Sequence, residues 1–185
     1  MSTIHRLTAR HGALLIVDLQ EKLLAKMADR PLVVANGVRL IQGAQLLGLP
    51  VIATEQYPKG IGPSDPAIAA LVPDRSDKMT FHCCGSPSVL EQLHGRNVRH
   101  VTLAGIEAHV CVAQTALELM SLGFIAQVAA DAVASRNPFD RDIALRRLER
   151  AGAIVSSTEA ILFEWTETAE HPRFKAISAL VKGPA

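Results

Sequence analysis

Six short apolar runs, each followed by a longer segment of helical period, restrict this chain to very few architectures. The runs are ALLIVD (13–18), PVIAT (50–54), KMTF (78–81), RHVTLAG (99–105), IAQVAAD (125–131) and AIVSS (153–157). Strands that stay hydrophobic on both faces are buried on both faces, and strands alternating with helices form parallel sheets. The pattern predicts a three-layer α/β/α sandwich around a six-stranded parallel sheet. A chain of 185 residues suits one domain spanning 1–185.

The punctuation agrees. Gly48 before Pro50 closes the helical segment after the first run. Asp65-Pro66 and Asn137-Pro138 read as N-caps followed by proline at the first helical position. Asp140 then stands where a capping-box acid belongs, and Gly152 ends that helix. Ser156 with Glu159 marks another helix start, and His171-Pro172 opens a last amphipathic helix with Phe174, Ile177, Leu180 and Val181 on one face.

Sheets of this kind are commonly wound in the order 3-2-1-4-5-6, the Rossmann-like arrangement, with ligands bound beyond the carboxyl ends of strands one and four. Asp18 ends the first run, and Cys111 follows the fourth across AGIEAHVC, where a helix is expected to begin. Lys78 lies in RSDKMTF, at the third. An acid, an ammonium and a thiol at three strand ends are the parts of a nucleophilic cysteine hydrolase. A helix N-terminus and a nearby ammonium would both favour the thiolate, and backbone N–H groups between Gly105 and Cys111 could receive an oxyanion. Taken singly, each residue has a plainer reading: Cys111 a small buried hydrophobe, Asp18 a strand-end cap, Lys78 a surface charge. Their conjunction gives the site its meaning.

Other features point away from other functions. Net charge is +1, and Arg141, Arg146, Arg147 and Arg150 are offset by Asp140, Asp142 and Glu149, so nucleic acid is not an expected partner. The apolar runs are too short to span a bilayer, so no membrane association is expected. The polar N-terminus lacks the apolar core of a secretory signal, and three cysteines fit a reducing compartment, so a cytoplasmic location is expected. His82-Cys83-Cys84 lacks a second ligand pair at metal-site spacing and reads as a strand end with buried thiols. The turn Gly60-Ile61-Gly62-Pro63 lacks the third glycine and following helix of a dinucleotide fingerprint. Gln20 is open between bracing the first helix and lining the pocket. Trp165 and Phe163 read as packing residues that anchor the last helices or a subunit contact.

Taken together, LLIVDLQ, SDKMTF, AGIEAHVCVAQTALELMSLGF and VAADAVASRNPFDRDIALRRLERAGAIVSSTEAILFEW resemble the isochorismatase-like cysteine hydrolases, a superfamily that includes isochorismatases, nicotinamidases and N-carbamoylsarcosine amidases. TEQYPKGIGP and EAHVC are most similar to its isochorismatase-domain-containing group. The resemblance implies Asp18, Lys78 and Cys111 as catalytic triad. It also implies a non-proline cis peptide between Ile106 and Glu107 that turns the Glu107 N–H towards an oxyanion, and homo-oligomers. Nicotinamidases hold a metal with an aspartate and histidines after strand two; here ATEQYPKGIGPSD has no histidine, so no metal or other cofactor is expected. Gln56 and Tyr57 occupy that loop and are expected to border the substrate pocket, and His109 is a candidate acid for a leaving group.

The expected activity is hydrolysis of a C–N bond in a small amide or ureido compound through a thioester at Cys111. Two alternatives stand beside it: vinyl-ether hydrolysis of the isochorismatase type, which needs acid chemistry and no nucleophile, and a scaffold protein that keeps the fold without turnover.

Overall fold

The structure is a computed structural model and describes residues 6–183. Its sheet has six strands in the order β3-β2-β1-β4-β5-β6, with every adjacent pair parallel. The strands are β1 (Gly12–Val17), β2 (Val51–Gln56), β3 (Ser76–Lys78), β4 (His100–Ile106), β5 (Ile125–Ala134) and β6 (Ile154–Ser156). The helices are α1 (Glu21–Leu24), α2 (Arg30–Leu47), α3 (Pro58–Ile61), α4 (Pro66–Leu71), α5 (Pro87–Gly95), α6 (Ala113–Ser121), α7 (Pro138–Ala151), α8 (Thr158–Thr166) and α9 (Phe174–Lys182).

Alternation along β1 feeds two separate cores. Ala13, Leu15 and Val17 pack with residues of α5, α6 and α7, including Val89, Leu93, Ala116, Leu119 and Leu148. Leu14 and Ile16 pack on the other face with Leu40, Ile41, Leu162, Trp165 and Ile177 of α2, α8 and α9. Every residue of β1 and of β4 is buried, which is why both read as unbroken apolar runs. Among the described residues no helix is long and apolar enough to cross a membrane.

The caps at Asp65 and Asn137 form as the sequence predicts: each side chain accepts from the backbone N–H two residues on, Ala67 and Phe139, both at 3.0 Å. Gly48 and Gly152 close α2 and α7. Several boundaries differ from expectation. β3 covers Ser76–Lys78 rather than 78–81, because pairing with β2 ends where Lys78 meets Gln56. Met79 and Phe81 beyond it are exposed. The cap of α8 is Ser157, one residue later than predicted; its Oγ accepts from Ala160 N at 3.4 Å. The last helix starts after Arg173, because His171 and Pro172 lie in the preceding turns. Phe163 meets Phe174 at a ring distance of 6.3 Å, tying α8 to α9, while Trp165 is buried in the core.

Candidate active site at the carboxyl rim of the sheet

Val17, the last residue of β1, lies between Thr54 of β2 and Gly105 of β4. The strands approach so closely that a Cβ on Gly105 would fall 2.0 Å from the Val17 carbonyl oxygen. The φ of Gly105 is +134°, a conformation that side-chain-bearing residues rarely adopt. One residue on, Asp18 has φ +51°, and its N–H donates to the Thr54 carbonyl at 3.2 Å. A non-glycine residue held in the left-handed region marks a backbone bent for position rather than comfort.

Asp18 and Lys78 have side chains that are 0% exposed, and Lys78 Nζ lies 2.7 Å from Asp18 Oδ2. The other carboxylate oxygen, Oδ1, accepts from Thr54 Oγ1 at 2.8 Å. Lys78 Nζ also donates to Gln56 Oε1 at 2.6 Å, Phe81 O at 3.0 Å and Thr80 O at 3.3 Å. Four oxygens therefore surround three protons. The Asp18 contact is the one without hydrogen-bond geometry, so Oδ2 is held by the lysine's charge.

Cys111 is close enough to this pair for both charges to act on its thiol. The residue is 7% exposed and sits in a wide π-type turn, Ala108–Val112, that runs into α6. Its thiol is pushed up to about 12. Burial is the largest cause, the Asp18 charge follows, and the Lys78 charge pulls the other way; a contact with Asp18 and the neighbouring Cys83 add smaller upward effects. The expectation that the ammonium would favour a thiolate is thus reversed: burial and the carboxylate outweigh the lysine, and the resting sulfur is a thiol.

Around this centre the other singled-out residues take distinct places. Ile106 is buried, and its peptide bond to Glu107 is cis. The Glu107 carboxylate pairs with Arg136 Nε at 3.1 Å and accepts from the Arg136 N–H at 3.0 Å. Gln56 is buried and touches the site through Lys78, so it braces the ammonium. Tyr57 is exposed and lines a cavity of about 520 Å³ together with Lys78, Met79 and Thr80. His109 Nδ1 is 2.9 Å from Ser135 Oγ, which links the turn to the end of β5. A larger cavity, about 750 Å³, lies between α2, α4 and α9 and contains none of the three central residues.

Three residues at the centre carry no sequence signal of their own. Thr54 holds Asp18; Thr115 accepts from Cys83 N at 3.0 Å and donates to the Cys111 carbonyl at 2.6 Å; Cys83 lies 3.5 Å from Thr54 Oγ1 with its thiol pushed up to about 11, chiefly by burial. Gln20 proves to be a brace: its Oε1 accepts from Gln56 N at 2.8 Å, and its Nε2 donates to Gln56 O and Gly62 O. Among the described residues, no three His, Cys, Asp or Glu side chains gather as a metal would require.

The family model of the isochorismatase domain matches residues 12–160. A zebrafish (Danio rerio) protein named isochorismatase domain-containing protein 2 is 37% identical over 187 residues, covering 100% of this chain and 94% of its own. A solved structure described as MAR1 ribonuclease from Caenorhabditis elegans superposes with a TM-score of 0.91 at 36% identity, covering 98% of this chain and 94% of that one. The YcaC gene product of Escherichia coli, described as an octameric hydrolase of unknown specificity, superposes with a TM-score of 0.85 at 26% identity, covering 91% and 86%.

Proposed function

This chain belongs to the isochorismatase domain family, and from that premise we propose that it hydrolyses a C–N bond of a small amide or ureido compound, with Cys111 as nucleophile, Asp18 as general base and Lys78 as the cation that steadies both. The observation that carries the reading is the fully buried Asp18–Lys78 pair acting on a nearly buried thiol at the sheet's rim. An ion pair this deep is costly to maintain and contributes little to stability as such. A site that must move a proton gives it a use.

The steps follow from the resting thiol. As sulfur attacks the carbonyl carbon, its proton passes to Asp18 and an S–C bond forms. The negative charge develops on the former carbonyl oxygen, for which the N–H groups of Glu107 and Cys111 are the proposed donors. Asp18 returns the proton to the nitrogen, the C–N bond breaks, and ammonia or an amine leaves a thioester. Water, deprotonated by Asp18, attacks the thioester, and the departing sulfur takes the proton back. Lys78 holds its charge throughout and keeps the Asp18 carboxylate in place while the proton comes and goes. Tyr57, with its cavity beside Lys78, is the proposed pocket wall, and His109, tethered to Ser135, borders the turn from the other side.

The test is a panel of small amides and ureido compounds with isochorismate and RNA included, run on the wild type and on Cys111→Ala. Ammonia release with an acyl adduct visible by intact-mass spectrometry, both lost in Cys111→Ala, is the expected result. Pyruvate release from isochorismate, or RNA cleavage, that persists in Cys111→Ala would overturn the thioester reading. Homo-oligomer formation belongs to the same proposal. It is supported by the octameric relative and by exposed Phe139 and Ile143 on α7, and a light-scattering mass of a single chain would contradict it.

A further inference from the structure

Cys83 lies within the site, yet the proposed steps do not use it. It is 0% exposed and opens the short turn Cys83–Gly85 beyond β3. A buried free cysteine usually packs as a small hydrophobe. The polar contacts of this one have a direction that packing does not require.

The direction follows from the protons available. A threonine hydroxyl has one proton to give. Thr54 Oγ1 gives its proton to Asp18 Oδ1 at 2.8 Å, so at its 3.5 Å contact with Cys83 Sγ it can only accept. The S–H therefore donates. The thiol keeps that proton, since burial and then the Asp18 charge push its pKa up to about 11. Thr115 is the other hydroxyl that acts on this thiol, but it already receives Cys83 N–H at 3.0 Å and gives its own proton to the Cys111 carbonyl at 2.6 Å. Two chains of hydrogen bonds thus leave one residue. Cys83 S–H leads through Thr54 to the proposed base, and Cys83 N–H leads through Thr115 to the backbone of the proposed nucleophile.

The first chain bears on proton transfer. While Asp18 is charged, it holds the Thr54 proton by itself. Once Asp18 has taken up a proton, that hold weakens, and the hydroxyl is free to turn towards sulfur. An S–H aimed at Oγ1 closes that option. Oδ1 then stays an acceptor in both states. A protonated carboxyl oxygen accepts poorly, so the incoming proton is directed to Oδ2, the oxygen beside Lys78.

We infer that Cys83 is a positioning residue of this site: its S–H locks the Thr54 hydroxyl onto Asp18 Oδ1, so that Oδ2 takes up and returns the proton. The role rests on the reading of Asp18 as general base, whereas the direction of the S–H bond stands without it.

Infrared difference spectroscopy tests the bond without any substrate. Wild type minus Cys83→Ser isolates the Cys83 S–H stretch, which should lie below that of an alkanethiol in hydrocarbon solvent and should rise in Thr54→Val. A free-thiol frequency in the wild type, or a band indifferent to Thr54→Val, would overturn the inference; should Thr54→Val not fold, the wild-type frequency still decides. Turnover tests the role, with whichever amide or ureido compound of the panel the wild type hydrolyses in dependence on Cys111. Cys83→Ala and Cys83→Ser differ in the donor and little in volume. Alanine should lower kcat about two- to fivefold relative to serine, the scale of one weak hydrogen bond, with KM equal in the two. In a Thr54→Val background the two should have the same kcat. An alanine–serine difference that is absent, that appears in KM, or that survives in Thr54→Val would reduce Cys83 to packing and overturn this inference alone. Absence of any Cys111-dependent turnover would overturn the proposed function, and the positioning role with it.

Discussion

Replacing Lys78 by methionine removes the ammonium while keeping most of the side chain's length. At 2.7 Å the two charges attract by roughly 6 kcal/mol at an effective dielectric constant of ~20, before desolvation is counted. The loss on breaking the pair is smaller, since both ions were desolvated in any case, and for buried pairs it falls at about 3–5 kcal/mol. The structure also predicts an asymmetry. Without Lys78, Asp18 keeps one hydrogen bond, from Thr54, and faces Gln56 Oε1 and two carbonyls that have lost their donor. Without the Asp18 charge, as in Asp18→Asn, Lys78 keeps all three of those acceptors. Lys78→Met should therefore destabilise more than Asp18→Asn, and the double variant should cost clearly less than the sum of the two. Urea unfolding of the four proteins, with m values compared to exclude a changed unfolded state, measures this. A cost below ~1 kcal/mol for Lys78→Met, the range of an exposed pair, would refute the buried geometry.

Two further outcomes concern the frame of the site. Gly105→Ala drives a Cβ into the Val17 carbonyl at a φ unsuited to alanine, so it should cost at least about 2 kcal/mol and lower any Cys111-dependent turnover; a melting temperature equal to wild type would contradict the close approach. Glu55 should shape acid stability. Burial alone would raise its pKa, but hydrogen bonds from Ser64 N and Oγ and from Arg75 outweigh it and hold the group below its ordinary 4.5. Its contribution is therefore complete above about pH 4.5 and lost as the pH falls through the lower folded value. Glu55→Gln should be less stable at pH 7 by about 1–3 kcal/mol and should lose less on acidification from pH 5 to 3, as followed by circular dichroism; an unchanged acid slope would refute the assignment.

The architecture was legible because its main determinants are local. Unbroken apolar runs, Asp65-Pro66, Asn137-Pro138 and the glycines at 48 and 152 each report on their own neighbourhood, and the sheet order followed from the preferred winding of such runs. What failed was also local. KMTF looks as apolar as a strand, yet Met79 and Phe81 are exposed, and apolar content alone cannot tell a strand from an exposed hydrophobic turn. His171-Pro172 has the chemistry of a helix start, but a helix forms only where its apolar face finds a surface, and that begins with Phe174 and Ile177. Thr54 and Cys83 were not legible as site residues because each acts through a partner 29 or more positions away in sequence, and Thr115 joins Cys111, four residues back, to Cys83, 32 away.

The least legible property is the charge state of the sulfur, and it bears most on the chemistry. Sequence places Cys111 near a helix start and, through the fold, near a lysine, and both would favour a thiolate. Neither neighbour acts alone. Lys78 is paired with Asp18, whose opposite charge acts on the same thiol and more strongly. The remaining effect is smaller than that of burial and of the carboxylate, and the proton stays on sulfur. A site built in this way does not store a reactive anion. On the proposed mechanism the nucleophile forms as the proton crosses to Asp18. This also explains why alkylation at neutral pH should be slow at Cys111 as well as at Cys83 and Cys84, whose thiols are pushed up to about 11 and about 12. Slow labelling is thus no argument against catalysis, and turnover in Cys111→Ala remains the observation that separates a working thiol from a buried one.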